Sequence, residues 1–314
     1  MIVLVLSYWF WVLKWGVMYM CELHLGPLIT AVVTPFDEQY QVDLKQFEKL
    51  LQHLIDTGST ALVITGTTGE ASTLNSIEKL KIWEAALDYV DEKIPIIVGV
   101  GTNNTKTTLH NIKLAEEVGV DALLTVVPYY NKPSQKGLLR HFKTVAESTD
   151  IPIILYNIPS RCGIELELET ILELAKLPNI IGIKDSTGDT ELLSKLKEKL
   201  GDDFLLYSGD DALYLETLKL GGAGVISVAG HLVGKSMKRI FELYSTGFIE
   251  RAEALNTKLA PFYGAVLTHP NPSPIKALLN KYGIDVGGVR LPLASLEEYE
   301  ADILWDEIED LIDK

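Results

Sequence analysis

The chain has 314 residues, of which 47% are hydrophobic and 23% are charged, and its formal net charge at pH 7 is −15. This composition is typical of a globular protein with a large core, built as one barrel-type domain or as two smaller domains. The acidic balance and the lack of any basic run in the sequence argue against nucleic-acid binding, because phosphates require patches of lysine and arginine.

The first twenty residues form an unusual apolar and aromatic stretch, MIVLVLSYWFWVLKWGVMYM. It lacks the positive start and the small-residue cleavage site of a secretory signal, and Lys14 interrupts the run of about 20 apolar residues that a membrane span needs. We predict a mis-assigned translation start, with Met18 or Met20 as the true first residue. A membrane or partner anchor and a packed extra helix are the alternatives. Residues 1–24 are therefore treated as an N-terminal extension outside the fold.

The cysteines and histidines predict neither a disulfide framework nor a metal site. Cys21 and Cys162 lie far apart in the sequence, which favours a reducing compartment and a cytoplasmic location. The six histidines form no HExxH pair. We expect no metal and no organic cofactor, and no association with a membrane.

Eight short apolar runs, rich in β-branched residues, alternate with amphipathic stretches from residue 28 onward. Such continuous apolarity indicates parallel strands that are buried on both faces. The predicted strands are 28–33, 61–65, 95–100, 122–127, 152–156, 180–184, 204–208 and 224–228. The predicted helices between and after them are 43–58, 76–90, 105–119, 137–148, 168–177, 190–201 and 211–222.

A strand and a helix repeat about every thirty residues, which is the period of a βα unit. Eight such units predict a (β/α)8 TIM barrel, an α/β fold, over residues 25–234. A doubly wound open sheet is the alternative. Such a sheet normally carries a glycine-rich phosphate turn after its first strand. Residues 34–41 read TPFDEQYQ, which is not such a turn. Further helical stretches predict that residues 235–314 form the eighth helix and a C-terminal helical extension.

The carboxyl ends of the predicted strands carry most of the chemistry in the sequence, and in such barrels these ends form the active site. Hydroxyls, glycines, one guanidinium and one lysine follow the apolar runs. They occur at 34–35, 66–70, 101–104, 128–131, 156–161, 184 and 208–211.

Lys184 stands where the sixth apolar run ends. Burial disfavours a charged ammonium, and a neutral amine can attack a carbonyl to form a Schiff base. The alternatives are a lysine that reaches to solvent and one that pairs with an acid. Imine formation moves several protons, which Tyr156, Thr67 and Tyr130 could relay. Tyr156 could instead fill a barrel layer, and Tyr130 could belong to an interface patch.

GTTGE and Arg161 each allow a structural and a functional interpretation. GTTGE (66–70) is either an ordinary strand-to-helix turn or a cradle in which N–H groups at a helix start bind a carboxylate. Arg161 forms either a surface ion pair or a bidentate clamp for a substrate carboxylate. SGDD (208–211) is typical of a helix cap.

Taken together, these motifs resemble the dihydrodipicolinate synthase (4-hydroxy-tetrahydrodipicolinate synthase) family of pyruvate-dependent class I aldolases. The matching segments run in family order from about residue 27 to RLPL at 290–293; they are VTPF, GTTGE, PYYNKPSQKGLLRHF, YNIPSRCG, GIKDSTGD, SGDD and GGAGVISV. The resemblance implies a lyase that condenses pyruvate with L-aspartate 4-semialdehyde in the lysine and diaminopimelate pathway. It also implies a homotetramer, a dimer of tight dimers, that needs no cofactor.

The resemblance assigns the catalytic residues by position. Lys184 matches the Schiff-base lysine. Thr67, Tyr156 and Tyr130 match the proton relay, with Tyr130 reaching in from a neighbouring subunit.

The resemblance also assigns the substrate-binding residues. Thr67 and Thr68 match the cradle for the pyruvate carboxylate, and Arg161 matches the residue that receives the carboxylate of the semialdehyde. Gly209 and Ile226 match positions that line the pyruvate pocket.

Two departures from the family pattern bear on function. Cys162 stands where a threonine is common. Ser76, Lys79 and Thr107 replace the histidines and glutamate of lysine-inhibited bacterial members, so we expect weak inhibition by lysine.

The rival functions are a sister aldolase, such as N-acetylneuraminate lyase, and a non-catalytic barrel. Sister enzymes generally lack the arginine of PSR and the second tyrosine of PYYN.

Overall fold

The structure is a computed structural model that describes residues 23–313. The apolar stretch 1–20 and Cys21 lie outside the described residues. The expectations about the translation start and the anchor therefore stay predictions.

Eight parallel strands close into a barrel in sequence order, and β1 pairs with β8 to complete it, with Ile29 opposite Ile226. This confirms the predicted (β/α)8 barrel over the open sheet. The strands are β1 Leu28–Ala31, β2 Ala61–Ile64, β3 Ile96–Gly99, β4 Ala122–Val126, β5 Ile153–Asn157, β6 Ile180–Asp185, β7 Leu205–Ser208 and β8 Gly224–Ser227.

Twelve α-helices occur within the described range, in addition to two short 3-10 turns at Asp211–Leu213 and Glu309–Leu311. The helices are α1 Leu44–Asp56, α2 Ser76–Val90, α3 Thr105–Val118, α4 Gln135–Ala146, α5 Pro159–Cys162, α6 Leu168–Leu174, α7 Thr190–Leu200, α8 Tyr214–Lys219, α9 Gly230–Ser245, α10 Ile249–Ala265, α11 Ser273–Tyr282 and α12 Glu298–Ile308.

Helix α1 shows how local signals set an element of this barrel. The Asp43 carboxylate accepts the backbone N–H of Gln46 at 3.0 Å and so caps the first turn. The apolar residues spaced three and four apart form the face turned to the strands, where Phe47 and Leu50 are at most 1% exposed. The predicted helix therefore forms, and its buried side is the one that the spacing indicates.

The region after β7 differs from the predicted continuous helix 211–222. The Asp210 side chain caps the 3-10 turn by accepting the N–H of Ala212 at 3.0 Å. The Asp211 carboxylate turns inward and accepts the N–H groups of Val228 and Ala229 beyond β8. A short turn and the six-residue helix α8 replace one long helix because this carboxylate is used to anchor another strand end.

The C-terminal helices complete the ring and then add to it. Helix α9 contacts β1 and α1, as the eighth helix of a barrel must, while α10 packs on α9 and α11 packs on α12. Helix α9 begins at Gly230, so the predicted division between 234 and 235 falls inside a helix. That division stays a prediction. In the described part of the chain, every helix is too short or too polar to span a membrane.

Candidate active site

Lys184 lies one residue before the end of β6, on the rim where the strands finish. It is 6% exposed, and its register neighbours are Tyr156 on β5 and Tyr207 on β7. The Lys184 Nζ lies 4.5 Å from the centre of the Tyr156 ring, which is within cation–π range. Among residues 23–313 Lys184 forms no ion pair. Within this range Lys184 therefore neither reaches to solvent nor pairs with an acid, which are the two alternative interpretations.

Gly209 borders the same amine from the turn after β7. A Cβ at this position would lie 2.8 Å from the Lys184 Cε and 1.9 Å from the Ser186 Oγ. The Gly209 N–H donates to the Asp185 carbonyl at 2.6 Å, which holds the two strand ends together. Any larger residue would therefore force the Ser186 hydroxyl and the Lys184 stem to shift.

The segment 66–70 forms a turn beside β2. It is not the start of a helix, because α2 begins only at Ser76. In the described part of the chain the N–H groups of Thr67 and Thr68 donate to no protein acceptor. Thr68 is 3% exposed, and its hydroxyl accepts the Asn271 side-chain amide at 2.9 Å. Two free donors in a sheltered turn are suited to binding an anion.

The other predicted site residues occupy different depths around the rim. Ile226 is completely buried in β8, and Tyr156 is 5% exposed. Arg161 is exposed on α5, where it faces solvent near the barrel mouth. Tyr130 is 88% exposed, with a backbone φ of +72°, in the loop after β4. The structure therefore brings Lys184 and Tyr156 into contact, and it leaves Tyr130 outside the core of its own chain.

Sequence reasoning missed a polar pair that joins the ends of β5 and β6. The Asn157 amide donates to the Asp185 carboxylate at 3.1 Å, and the Asn157 side-chain oxygen accepts the N–H of Leu166 at 2.9 Å. Burial raises the pKa of Asp185, while hydrogen bonds from Thr187 oppose that change. Asn157 directly follows Tyr156, and Asp185 directly follows Lys184. Because side chains alternate along a strand, this pair lies on the face of the sheet opposite to the Lys184–Tyr156 contact. That spacing was the signal available in the sequence.

Cys162, the departure from the family pattern, is 2% exposed in α5. Its thiol donates to the Val127 carbonyl at 3.2 Å, and burial raises its pKa to about 11. The bond ties α5, which carries Arg161, to the end of β4. A threonine hydroxyl can donate the same bond, which explains why either residue suits this position.

The rim thus combines a buried primary amine, a phenol in contact with it and a turn with two free N–H donors. An amine with neighbouring acid–base groups is suited to covalent chemistry on a carbonyl. Among residues 23–313 no group of three or more histidine, cysteine, aspartate or glutamate side chains could hold a metal ion.

Comparison with known proteins gives a consistent result. The model of the Dihydrodipicolinate synthetase family matches residues 24–311. A 4-hydroxy-tetrahydrodipicolinate synthase of Bacillus velezensis is 43% identical over 278 residues, which cover 88% of this chain and 96% of that protein.

Two solved structures are similarly close to the chain. A dihydrodipicolinate synthase of Bacillus anthracis superposes with a TM-score of 0.90 at 41% identity and covers 91% of this chain and 98% of its own. The DHDPS of Cyanidioschyzon merolae, solved with lysine bound, gives a TM-score of 0.89 at 38% identity, with coverage of 91% and 98%.

Proposed function

The chain belongs to the dihydrodipicolinate synthetase family, and from that membership we propose that it is a 4-hydroxy-tetrahydrodipicolinate synthase. This enzyme is a lyase of the class I aldolase type, and it condenses pyruvate with L-aspartate 4-semialdehyde in lysine and diaminopimelate synthesis. The observation that carries the assignment to this site is the buried Lys184 amine, 4.5 Å from the Tyr156 ring and bordered by Gly209.

In the first half-reaction pyruvate forms an imine with Lys184. The carboxylate of pyruvate accepts the free N–H groups of Thr67 and Thr68, which directs the ketone carbon toward the Lys184 amine. The amine adds to this carbon, the ketone oxygen is protonated, and it leaves as water. Tyr156 and Thr67 move the protons, because the departing oxygen must gain two of them.

In the second half-reaction the imine loses a proton from its methyl group and becomes an enamine. The enamine carbon attacks the aldehyde carbon of the semialdehyde, and a carbon–carbon bond forms while the aldehyde oxygen takes a proton. The amine of the semialdehyde then attacks the imine carbon and displaces the Lys184 amine. Arg161, exposed at the mouth, receives the carboxylate of this second substrate.

We further propose that the enzyme works as a homotetramer in the cytoplasm. The exposure of Tyr130 supports the first point, since a phenol that is 88% exposed in its own chain is placed to enter the site of a second copy. The free, buried Cys162 agrees with a reducing compartment. Weak inhibition by lysine stays a prediction.

Reductive trapping tests the proposal. Borohydride added with pyruvate is expected to leave a covalent mass on Lys184 alone, located by peptide mapping, and Lys184→Ala is expected to abolish both the adduct and turnover while the protein stays folded. An adduct on another lysine, or none on the folded parent protein, contradicts the assignment. An assay with N-acetylmannosamine in place of aspartate semialdehyde tests for the activity of the sister lyase. We expect no product with this acceptor.

A further inference from the structure

A buried ion pair lies behind the turn that carries Thr67 and Thr68, and the mechanism above does not use it. The Lys276 Nζ lies 3.0 Å from a carboxylate oxygen of Glu70, and the two residues are 1% and 2% exposed. The ammonium also donates to the Thr34 carbonyl at 2.8 Å. Burial lowers the pKa of Lys276 to about 8, against the opposing effect of Glu70. Because a buried pair is costly to desolvate, its presence is weak evidence for added stability.

The second carboxylate oxygen of Glu70 accepts the backbone N–H of Arg290 at 2.9 Å. Glu70 itself has a backbone φ of +55°, a conformation that a side-chain-bearing residue adopts only under restraint. The Arg290 guanidinium binds both carboxylate oxygens of Glu78, in the first turn of α2, at 2.6 and 3.1 Å. The turn and the helix that follows it are therefore both held by the segment after α11.

Two shorter contacts lead from the same region to the anion-binding turn. Asn271, two residues before α11, donates its side-chain amide to the Thr68 hydroxyl at 2.9 Å. The Thr34 hydroxyl donates to the Gly69 carbonyl at 2.7 Å. Hydrogen bonds therefore hold the turn on both sides of its free N–H groups.

We propose that Glu70, Lys276 and Arg290, together called the C-terminal clamp, are positioning residues that hold the Thr67–Thr68 turn in the shape that binds the carboxylate of the keto acid. The C-terminal helices thereby complete the pyruvate site. This inference rests on the proposed function.

Lys276 also affects carboxylate binding through its charge. Glu70 lies two residues from Thr68, so an unpaired Glu70 would leave a buried negative charge behind the site that receives a carboxylate. The Lys276 ammonium neutralises that charge. Removal of Lys276 alone is therefore worse for pyruvate binding than removal of both charges.

The test compares Lys276→Met, the double variant Glu70→Gln/Lys276→Met and a control, Lys281→Met, which changes an exposed lysine of the same helix that pairs with Asp302. Borohydride trapping at Lys184 is measured against the concentration of two ketones of similar size. Pyruvate carries a carboxylate, and acetone does not. Trapping needs no second substrate, so it reports on the keto-acid site directly.

For Lys276→Met the pyruvate concentration at half-maximal trapping is expected to rise about tenfold or more, as for the loss of a charge-assisted contact. The double variant is expected to lie between that value and the parent value. Lys281→Met is expected to match the parent. Acetone trapping is expected to fall less than pyruvate trapping in Lys276→Met and in the double variant, because acetone has no carboxylate for the turn to bind and uses the turn only for proton transfer by Thr67.

A folded Lys276→Met protein with the pyruvate dependence of the parent overturns the proposal. An equal loss of acetone and pyruvate trapping also overturns it, since the damage would then lie at Lys184. If Lys276→Met does not fold, the double variant decides, because it leaves no buried charge unpaired; parent-like pyruvate trapping there rejects the clamp. A parent protein that traps no pyruvate at Lys184 rejects the proposed function instead.

Discussion

The immediate neighbours of Lys184 limit the space for its side chain, and the closest limit is at Gly209. The aliphatic stem of Lys184 passes so close to this glycine that a single methyl group would sit 2.8 Å from Cε. The Ser186 hydroxyl, which has no hydrogen-bond partner among the described residues, can rotate away from such a methyl group, so the Lys184 stem is the neighbour whose shift affects the amine. Space at Gly209 therefore limits where the Lys184 amine can lie.

Gly209→Ala is expected to slow pyruvate trapping at Lys184 by at least about tenfold, because a small misplacement of a reacting group is costly. The melting temperature should change little, since the substitution lies at the open rim. Gly264→Ala is the matched control, because nothing lies within 4 Å of a Cβ there, and alanine is favoured over glycine within a helix. A trapping rate equal to that of the parent in Gly209→Ala would show that the amine has room to move.

The short helix α5 determines where Arg161 lies relative to the site. Gly163 ends the helix with a φ of +74°, and the Cys162 thiol holds it to the Val127 carbonyl at 3.2 Å. The Asn157 side chain then fixes Leu166 on the far side of the loop. A four-residue helix held at its C-terminal end can present one exposed guanidinium to a substrate at the barrel mouth without contact with Lys184.

Arg161→Ala is expected to raise the KM for aspartate semialdehyde about tenfold, which corresponds to one charge-assisted contact at a solvent-exposed position. Pyruvate trapping should not change, because the turn with Thr67 and Thr68 is separate. Arg239→Ala, which removes an exposed arginine paired with Glu242, serves as the control. Equal losses for both substrates would indicate that Arg161 supports the loop and does not bind the semialdehyde.

In the whole molecule, the proposed proton relay is divided between the interior of one barrel and a loop on its surface. Tyr156 is 5% exposed and touches Lys184, whereas Tyr130 is 88% exposed. A relay that includes both phenols requires a second copy of the chain to bring its Tyr130 to the rim. The proposed assembly is then part of the active site.

Co-expression of Tyr130→Phe with Lys184→Ala tests this arrangement, because each variant alone lacks one member of every site. In a two-fold dimer, mixed pairs contain one site with both residues, so about a quarter of the parent activity is expected. The control replaces the second variant with the double variant Lys184→Ala/Tyr130→Phe, which keeps the same number of Lys184 residues but leaves no pair with a complete site. Activity no higher than in this control would mean that Tyr130 does not act between copies.

The barrel could be predicted because its signals are local. Continuous apolar runs such as β2 are typical of strands buried on both faces, and the spacing in α1 indicates its buried side. Chain order then places every strand end on one rim, which is why Lys184 and Tyr156 could be expected to meet. The short helix α5 was not predicted, since four residues are too few to show a period.

The sequence by itself determined which residues form the barrel and which side chains stand at its rim. Tertiary structure alone decided how that rim is held. Lys276 and Glu70 are 206 positions apart, and Asn271 and Thr68 are 203 apart. Neither pair follows from periodicity, because an ion pair or hydrogen bond depends on the approach of two backbone segments and on the burial of both partners. The shape of the Thr67–Thr68 turn, which we propose binds the carboxylate, is therefore set by contacts that no local pattern records.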